Sequence, residues 1–187
     1  MKRWALLALL AGCKCSSGAT ADAGAPVWLE AGADVSVARA PDVEELWTQA
    51  ADAGDDELER LALVEGTAGL EERAASPGYR VTAIRAMAFT PSFSAFPTLG
   101  AAAAHGSEDE AKAAVDAADA IAARKREQVD PEDDDELAAG CASLLAAAKD
   151  TTRPRPVRIG AVRALRMLSD RTACVKSDAI PTDVDVK

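Results

Sequence analysis

The chain has 187 residues, with 21 Lys plus Arg against 31 Asp plus Glu, a formal charge of −10, and 44 alanines. That length builds one modest domain, and the acidic balance excludes the diffuse phosphate attraction on which nucleic-acid binders and whole-body adsorption to anionic lipid depend. With three Phe, three Trp and one Tyr few large side chains remain for a core, so alanine, the best helix former, must let backbones approach while Leu, Val and Ile fill the gaps.

Met1-Lys2-Arg3 precedes an apolar run from Trp4 to Ala11, followed by Gly12-Cys13-Lys14-Cys15. A charged start, an apolar stretch and small residues before a cysteine make a secretory signal, far short of the roughly 20 residues that cross a bilayer as a helix. Leu10-Ala11-Gly12-Cys13 resembles the bacterial lipobox. The resemblance implies removal of a signal peptide, residues 1–12, and diacylglycerol on the Cys13 thiol. Several acyl chains hold a protein on a membrane where one holds it only marginally, so the expectation is an exported, membrane-anchored protein of the bacterial cell envelope. By the same resemblance, Lys14 rather than Asp after the cysteine implies the outer membrane over the inner. Residues 13–41 then read as lipid anchor and flexible tether, rich in Ser, Gly, Ala, Asp and Pro. About 25 residues of such coil reach roughly 25 to 30 Å. Val27-Trp28-Leu29 and Val35-Ser36-Val37 interrupt the tether.

From Pro41 the punctuation becomes regular, and residues 42–175 read as one helical domain. The predicted helices span 42–52, 55–65, a short segment near 70–75, then 79–89, 94–104, 108–126, 131–149 and 156–170. Ser107 followed by Glu110 is a capping box, and Asp130-Pro131 puts an N-cap before an N1 proline. Residues 176–187 read as a disordered C-terminal tail.

Three of these helices share a pattern of small, branched apolar, charged, small, then apolar or small. It runs Ala83-Ile84-Arg85-Ala86-Met87, Ala114-Val115-Asp116-Ala117-Ala118 and Ala161-Val162-Arg163-Ala164-Leu165, with Arg80 and Arg158 each three places before the first alanine. Recurrence at about 30 to 47 residues with two helices per unit marks an α-solenoid. The stretch 154–168, from Pro154-Arg155-Pro156 to Met167-Leu168, resembles the second helix of a HEAT-like repeat. The fold class expected is all-α, a short HEAT-like α-solenoid of antiparallel helix pairs, with an irregular helical bundle as the competing architecture.

Among the candidate sites, Cys141 and Cys174 either pair, if the chain turns back after Asp170, or stay two thiols; export makes the disulfide possible. His105, the one histidine, stands before Gly106 at the end of an alanine run, where a helix C-terminus accounts for it without catalysis. The acidic run 130–136 lacks the spaced ligands and central glycine of a calcium loop and suits a helix N-terminus. No metal and no cofactor are expected. Arg155, Arg158, Arg163 and Arg166 fall within about a 140° arc of one helix. They form a ridge that either meets carboxylates on a protein partner or pairs with the acidic run on the neighbouring helix. The function these features point to is a lipid-anchored cell-envelope scaffold that binds a protein partner and is not an enzyme. The alternatives are an envelope enzyme or cofactor-handling helical-repeat protein, and a periplasmic spacer.

Overall fold

Acidic residues crowd the first turns of four of the helices, where the exposed N–H groups and the macrodipole favour them. Asp42 accepts from the Glu44 N–H at 3.1 Å, and α1 (Val43–Asp52) follows. Asp55, Asp56 and Glu57 open α2 (Asp55–Ala74). After α3 (Arg80–Met87), a 3₁₀ turn at Phe93–Ala95 leads into α4 (Phe96–His105), with Pro97 in its first turn. Ser107 and Glu110 cap α5 (Glu108–Lys125) reciprocally: the Ser107 N–H donates to Glu110 Oε2 at 2.9 Å and the Glu110 N–H to Ser107 Oγ at 3.3 Å. Asp134, Asp135 and Glu136 open α6 (Asp134–Lys149), and Pro156 lies in the first turn of α7 (Arg155–Leu168). These elements come from a computed structural model that describes residues 42–52, 54–125 and 134–185, among which there is no strand. The lipobox, the tether and the Asp130-Pro131 cap lie outside the described residues.

The run expected to stop near residue 65 continues as α2 to Ala74, but it breaks where expected. Gly66 sits at φ 64°, ψ 179° inside it, a left-handed conformation that side chains with a Cβ rarely adopt. Of the tail expected to be disordered over 176–187, the described part through residue 185 is ordered. Two 3₁₀ turns, Ser177–Ala179 and Asp183–Asp185, order it, and Ile180 and Val184 are both buried. These two lone apolar residues, in a segment otherwise polar, have no period from which their burial could be read.

Helices adjacent in sequence pack in pairs: α2 with α3, α4 with α5, and α6 with α7. Across the pairs, α3, α5 and α7 form one row and α4 and α6 another, while α1 covers α2 and touches α3. A contact between α5 and α7 and one between α4 and α6 share the same offset. Arg163 on α7 meets Asp119 on α5, 44 residues back, and Gly140 on α6 lies against Phe96 on α4 at the same offset. A Cβ at Gly140 would come 2.5 Å from the Phe96 Cβ and 2.7 Å from its carbonyl oxygen, so α4 and α6 approach almost backbone to backbone. Alanine does the same in the other row. In all three copies of the shared pattern the small and apolar positions are buried, while the central charged residue is not.

Arginines close the helix C-termini, where carbonyl oxygens lack intrahelical partners. Arg80 donates to Ala74 O at 2.7 Å and Ala75 O at 3.2 Å, at the end of α2. Arg153 donates to Ala104 O and, at 2.7 Å, to Gly106 O, at the end of α4. Arg158 donates to Ala148 O at 3.4 Å, at the end of α6. The arginine that precedes the shared pattern in two of its copies is therefore a cap for the preceding helix.

Candidate functional site

An open groove of about 640 Å³ runs between α3 and α5. Its floor is apolar. Ala113, Ala117 and Ala120 come from α5 at helical spacing, facing Val81 on α3 and Phe89 just beyond it, with Leu58 of α2 at one end. Charges of both signs stand around it: Asp55, Asp109 and Asp116 against Arg85, Lys112 and Arg124. Two of these are matched within α5, where Lys112 Nζ lies 2.6 Å from Asp116 Oδ2. Arg124 donates to Ala88 O, closing α3 at the far end of the groove. Val81 keeps more than a third of its surface exposed, one of three large apolar side chains to do so among the described residues. The alanines that form the floor are the outward flank of the stripe that packs the row. A sequence pattern that marks every α5 alanine as core does not separate the two faces.

The arginine ridge is not assembled as expected. Arg158 turns toward the end of α6 to cap Ala148. Arg163 turns the other way and pairs with Asp119 of α5 rather than with the acidic run that opens α6. Arg155 and Arg166 stay exposed between them. The arc of about 140° spans the seams with both neighbouring helices, so its two flanks are spent on packing. Asp119 Oδ1, next to this pair, is buried without a hydrogen-bond partner.

Cys141, on α6, and Cys174, beyond α7, are joined by a disulfide with their Cα atoms 5.5 Å apart. His105 is the exposed last residue of α4. Gly106 follows it in extended conformation at φ −69°, ψ 171°, so its lack of a side chain serves close packing against Ala102 O and Glu110 rather than a left-handed turn. Among the described residues no three His, Cys, Asp or Glu gather to hold a metal ion, and no helix is long and apolar enough to cross a membrane. Cys13 lies outside them.

One cluster escaped the sequence pattern altogether. The Arg73 guanidinium lies 5.4 Å from the Trp47 ring centroid and 4.9 Å from that of Tyr79, the two rings meeting edge to face at 5.3 Å. Arg73 pairs with Glu44, Tyr79 Oη donates to Glu44 Oε2 at 3.3 Å, and Trp47 Nε1 donates to Glu65 Oε1 at 2.7 Å. The hydrogen bond from Arg73 holds the Glu44 carboxyl below the ordinary carboxylate range, and the same contact raises Arg73. These residues are spread from 44 to 79, with no local spacing that would join them. They pin α1 to the body. In comparisons with known proteins, no family, no curated protein and no solved structure matches the chain.

Proposed function

We propose that this chain is an exported lipoprotein of the bacterial cell envelope whose helical body binds a protein partner and catalyses no reaction. The observation that carries the reading is the groove between α3 and α5. It offers an apolar floor about as long as α3, ringed by charges of both signs, and so suits a protein segment with an apolar stripe and charged flanks better than a small polar substrate. The body is read as a short HEAT-like α-solenoid of antiparallel helix pairs, supported by the two helix rows and by the repeated arginine that caps the preceding helix. Anchoring through Cys13, in the outer rather than the inner membrane, rests on Leu10-Ala11-Gly12-Cys13 and Lys14. The Cys141 to Cys174 disulfide supports an oxidising compartment.

A photo-crosslinking side chain placed at position 120 tests the groove in the native envelope. One partner should be recovered, lost when Ala113→Glu is added and kept when Arg155→Ser and Arg166→Ser are added. Loss with the arginine changes and retention with Ala113→Glu would move the site to α7. Cys13→Ser should release the protein from membranes washed with carbonate; retention would remove the anchor from the reading.

A further inference from the structure

Beyond α7 the chain folds back over the helix that it has just left. At 100° per residue, the arc formed by Val157, Ala161, Ala164, Leu165 and Leu168 faces inward. Gly160 and Arg163 face Val115 and Asp119 of α5, and Arg158 reaches toward α6. Val162 lies at the rim of the α6 side, about 40° from Arg158. It falls within about 40° of Arg155 and Arg166, on the outward face, yet none of its surface is exposed. The element that packs on α7 besides α5 and α6 is the Asp183–Asp185 turn, with Val184 buried in it and Ile180 buried just before it. Residues 169–185 therefore act as a strap across the open side of the last helix pair.

The strap has little to hold it in place by itself. Its internal bonds are single turns, such as Ala179 N–H to Lys176 O at 3.0 Å and Ile180 N–H to Ser177 O at 3.3 Å. Ordering residues 169–185 costs more backbone entropy than the buried Ile180 and Val184 and the partly buried Ala173 and Val175 return. The ties upstream of the buried pair include Arg171 over the Phe93 ring at 5.4 Å, the packing of Ala173 and Val175, and the covalent bond from Cys174 to Cys141. The first two are non-covalent and reversible, the cation lying over a ring that is 1% exposed. The third is covalent.

We propose that the Cys141–Cys174 bond is a latch, whose reduction by a dithiol frees residues 171–185 and uncovers the Val162 edge of α7 while the helix pairs stay folded. Cys141 is fully buried and Cys174 half-buried, so a thiolate of the donor attacks Cys174 Sγ. Cys141 Sγ leaves as thiolate and takes up a proton. The donor's second thiol then closes the donor's own disulfide and releases Cys174 as a thiol. The protein gains two electrons and two protons, and the dithiol loses them.

The test is hydrogen exchange read by mass spectrometry on the full chain, oxidised and after treatment with dithiothreitol, with peptide mapping to follow the cysteine pair. On reduction, the amides of Cys174, Ala179 and Ile180 should exchange at least about tenfold faster, with α3 and α5 and the total helical circular dichroism unchanged. Cys174→Ser should reproduce this without reductant. Ile180→Ser with Val184→Ser, the disulfide intact, should free 177–185 and leave 171–174 protected. Unchanged strap exchange on reduction would overturn the latch, as would a rise shared equally by α4 to α7, which would make the bond a brace for the whole body.

Discussion

The two ends of the helical array are finished by different chemistry. At the start, α1 covers α2 and is pinned by a non-covalent cluster of Trp47, Tyr79, Arg73 and Glu44. At the finish, a strap whose regular structure is two 3₁₀ turns covers α7 and is tied by a disulfide. The difference follows from what each cap can bury. An amphipathic helix brings Leu46, Trp47 and Ala50 into the core, enough to dock unaided; the strap brings Ile180 and Val184 and needs a covalent tie. Stacked helices leave apolar faces at both ends and must cover them, since an open end invites association. A cap held by a large aromatic fails by cavity formation, whereas one held by a crosslink fails by reduction.

The largest expected effect comes from breaking the first cap. Trp47 is 1% exposed, and truncating a buried tryptophan to alanine removes about 3 to 5 kcal/mol. Trp47→Ala should lower the urea midpoint of the helical circular dichroism by that amount, unless α1 detaches first. A terminal helix can lose no more than its own docking energy, so detachment would appear as fast exchange confined to 43–52 with a smaller shift. Breaking the second cap is next. Cys141 and Cys174 are 33 residues apart, and a loop of that size is worth about 3 to 4 kcal/mol in the chain-entropy account. Cys174→Ser should lower stability by less than that, because a strap that comes free regains its entropy in the folded state as well; the full loss would show a strap that stays docked untied.

Gly140→Val tests the middle of the array, where neither cap acts. With Phe96 already at the limit of approach, the added side chain must push α4 and α6 apart, at about 1 to 3 kcal/mol for overpacking. Thermal unfolding of this variant should drop while exchange at α1 and in the strap stays as in the parent. A loss that began at either end would mean that the caps depend on the α4 to α6 contact.

The helices themselves were legible because alanine and capping residues are local signals. The Ser107 and Glu110 box, the break near residue 66 and the buried positions of the shared pattern all depend on neighbours within a few places along the chain. What was not legible depends on pairing across the array. The arginine ridge looked continuous on one helix, but Arg158 and Arg163 turn to opposite neighbours, which a helical wheel of α7 alone cannot represent. The groove shares its alanines with the core stripe of α5. The strap's apolar residues follow no period, and the α1 cluster gathers residues separated by up to 35 places, as in the Tyr79 to Glu44 bond. Sequence spacing carries such contacts only where a repeat imposes a register, as it does for Arg80 and Arg158.

The smallest effect separates the two caps by pH. Glu44 accepts from Arg73 and from Tyr79 Oη, with Glu65 close by on α2, and the bond from Arg73 lowers its carboxyl below the unfolded value. A lowered folded value means that the ion pair's contribution is fully present above the ordinary carboxylate range and is lost as pH falls through the lowered one. Arg73, raised by the same contact, stays charged throughout. Acidification should therefore loosen α1 before the strap, whose tie does not titrate. The Trp47 indole N–H resonance, hydrogen-bonded to Glu65, reports it: the signal should shift and broaden as Glu44 protonates, while the Cys174 amide is unmoved. Glu44→Gln removes the Glu44 titration and should flatten the response. If the Trp47 signal of the parent holds steady through the same range, the pinning of α1 is aromatic packing alone, and the ion pair on its surface contributes nothing measurable.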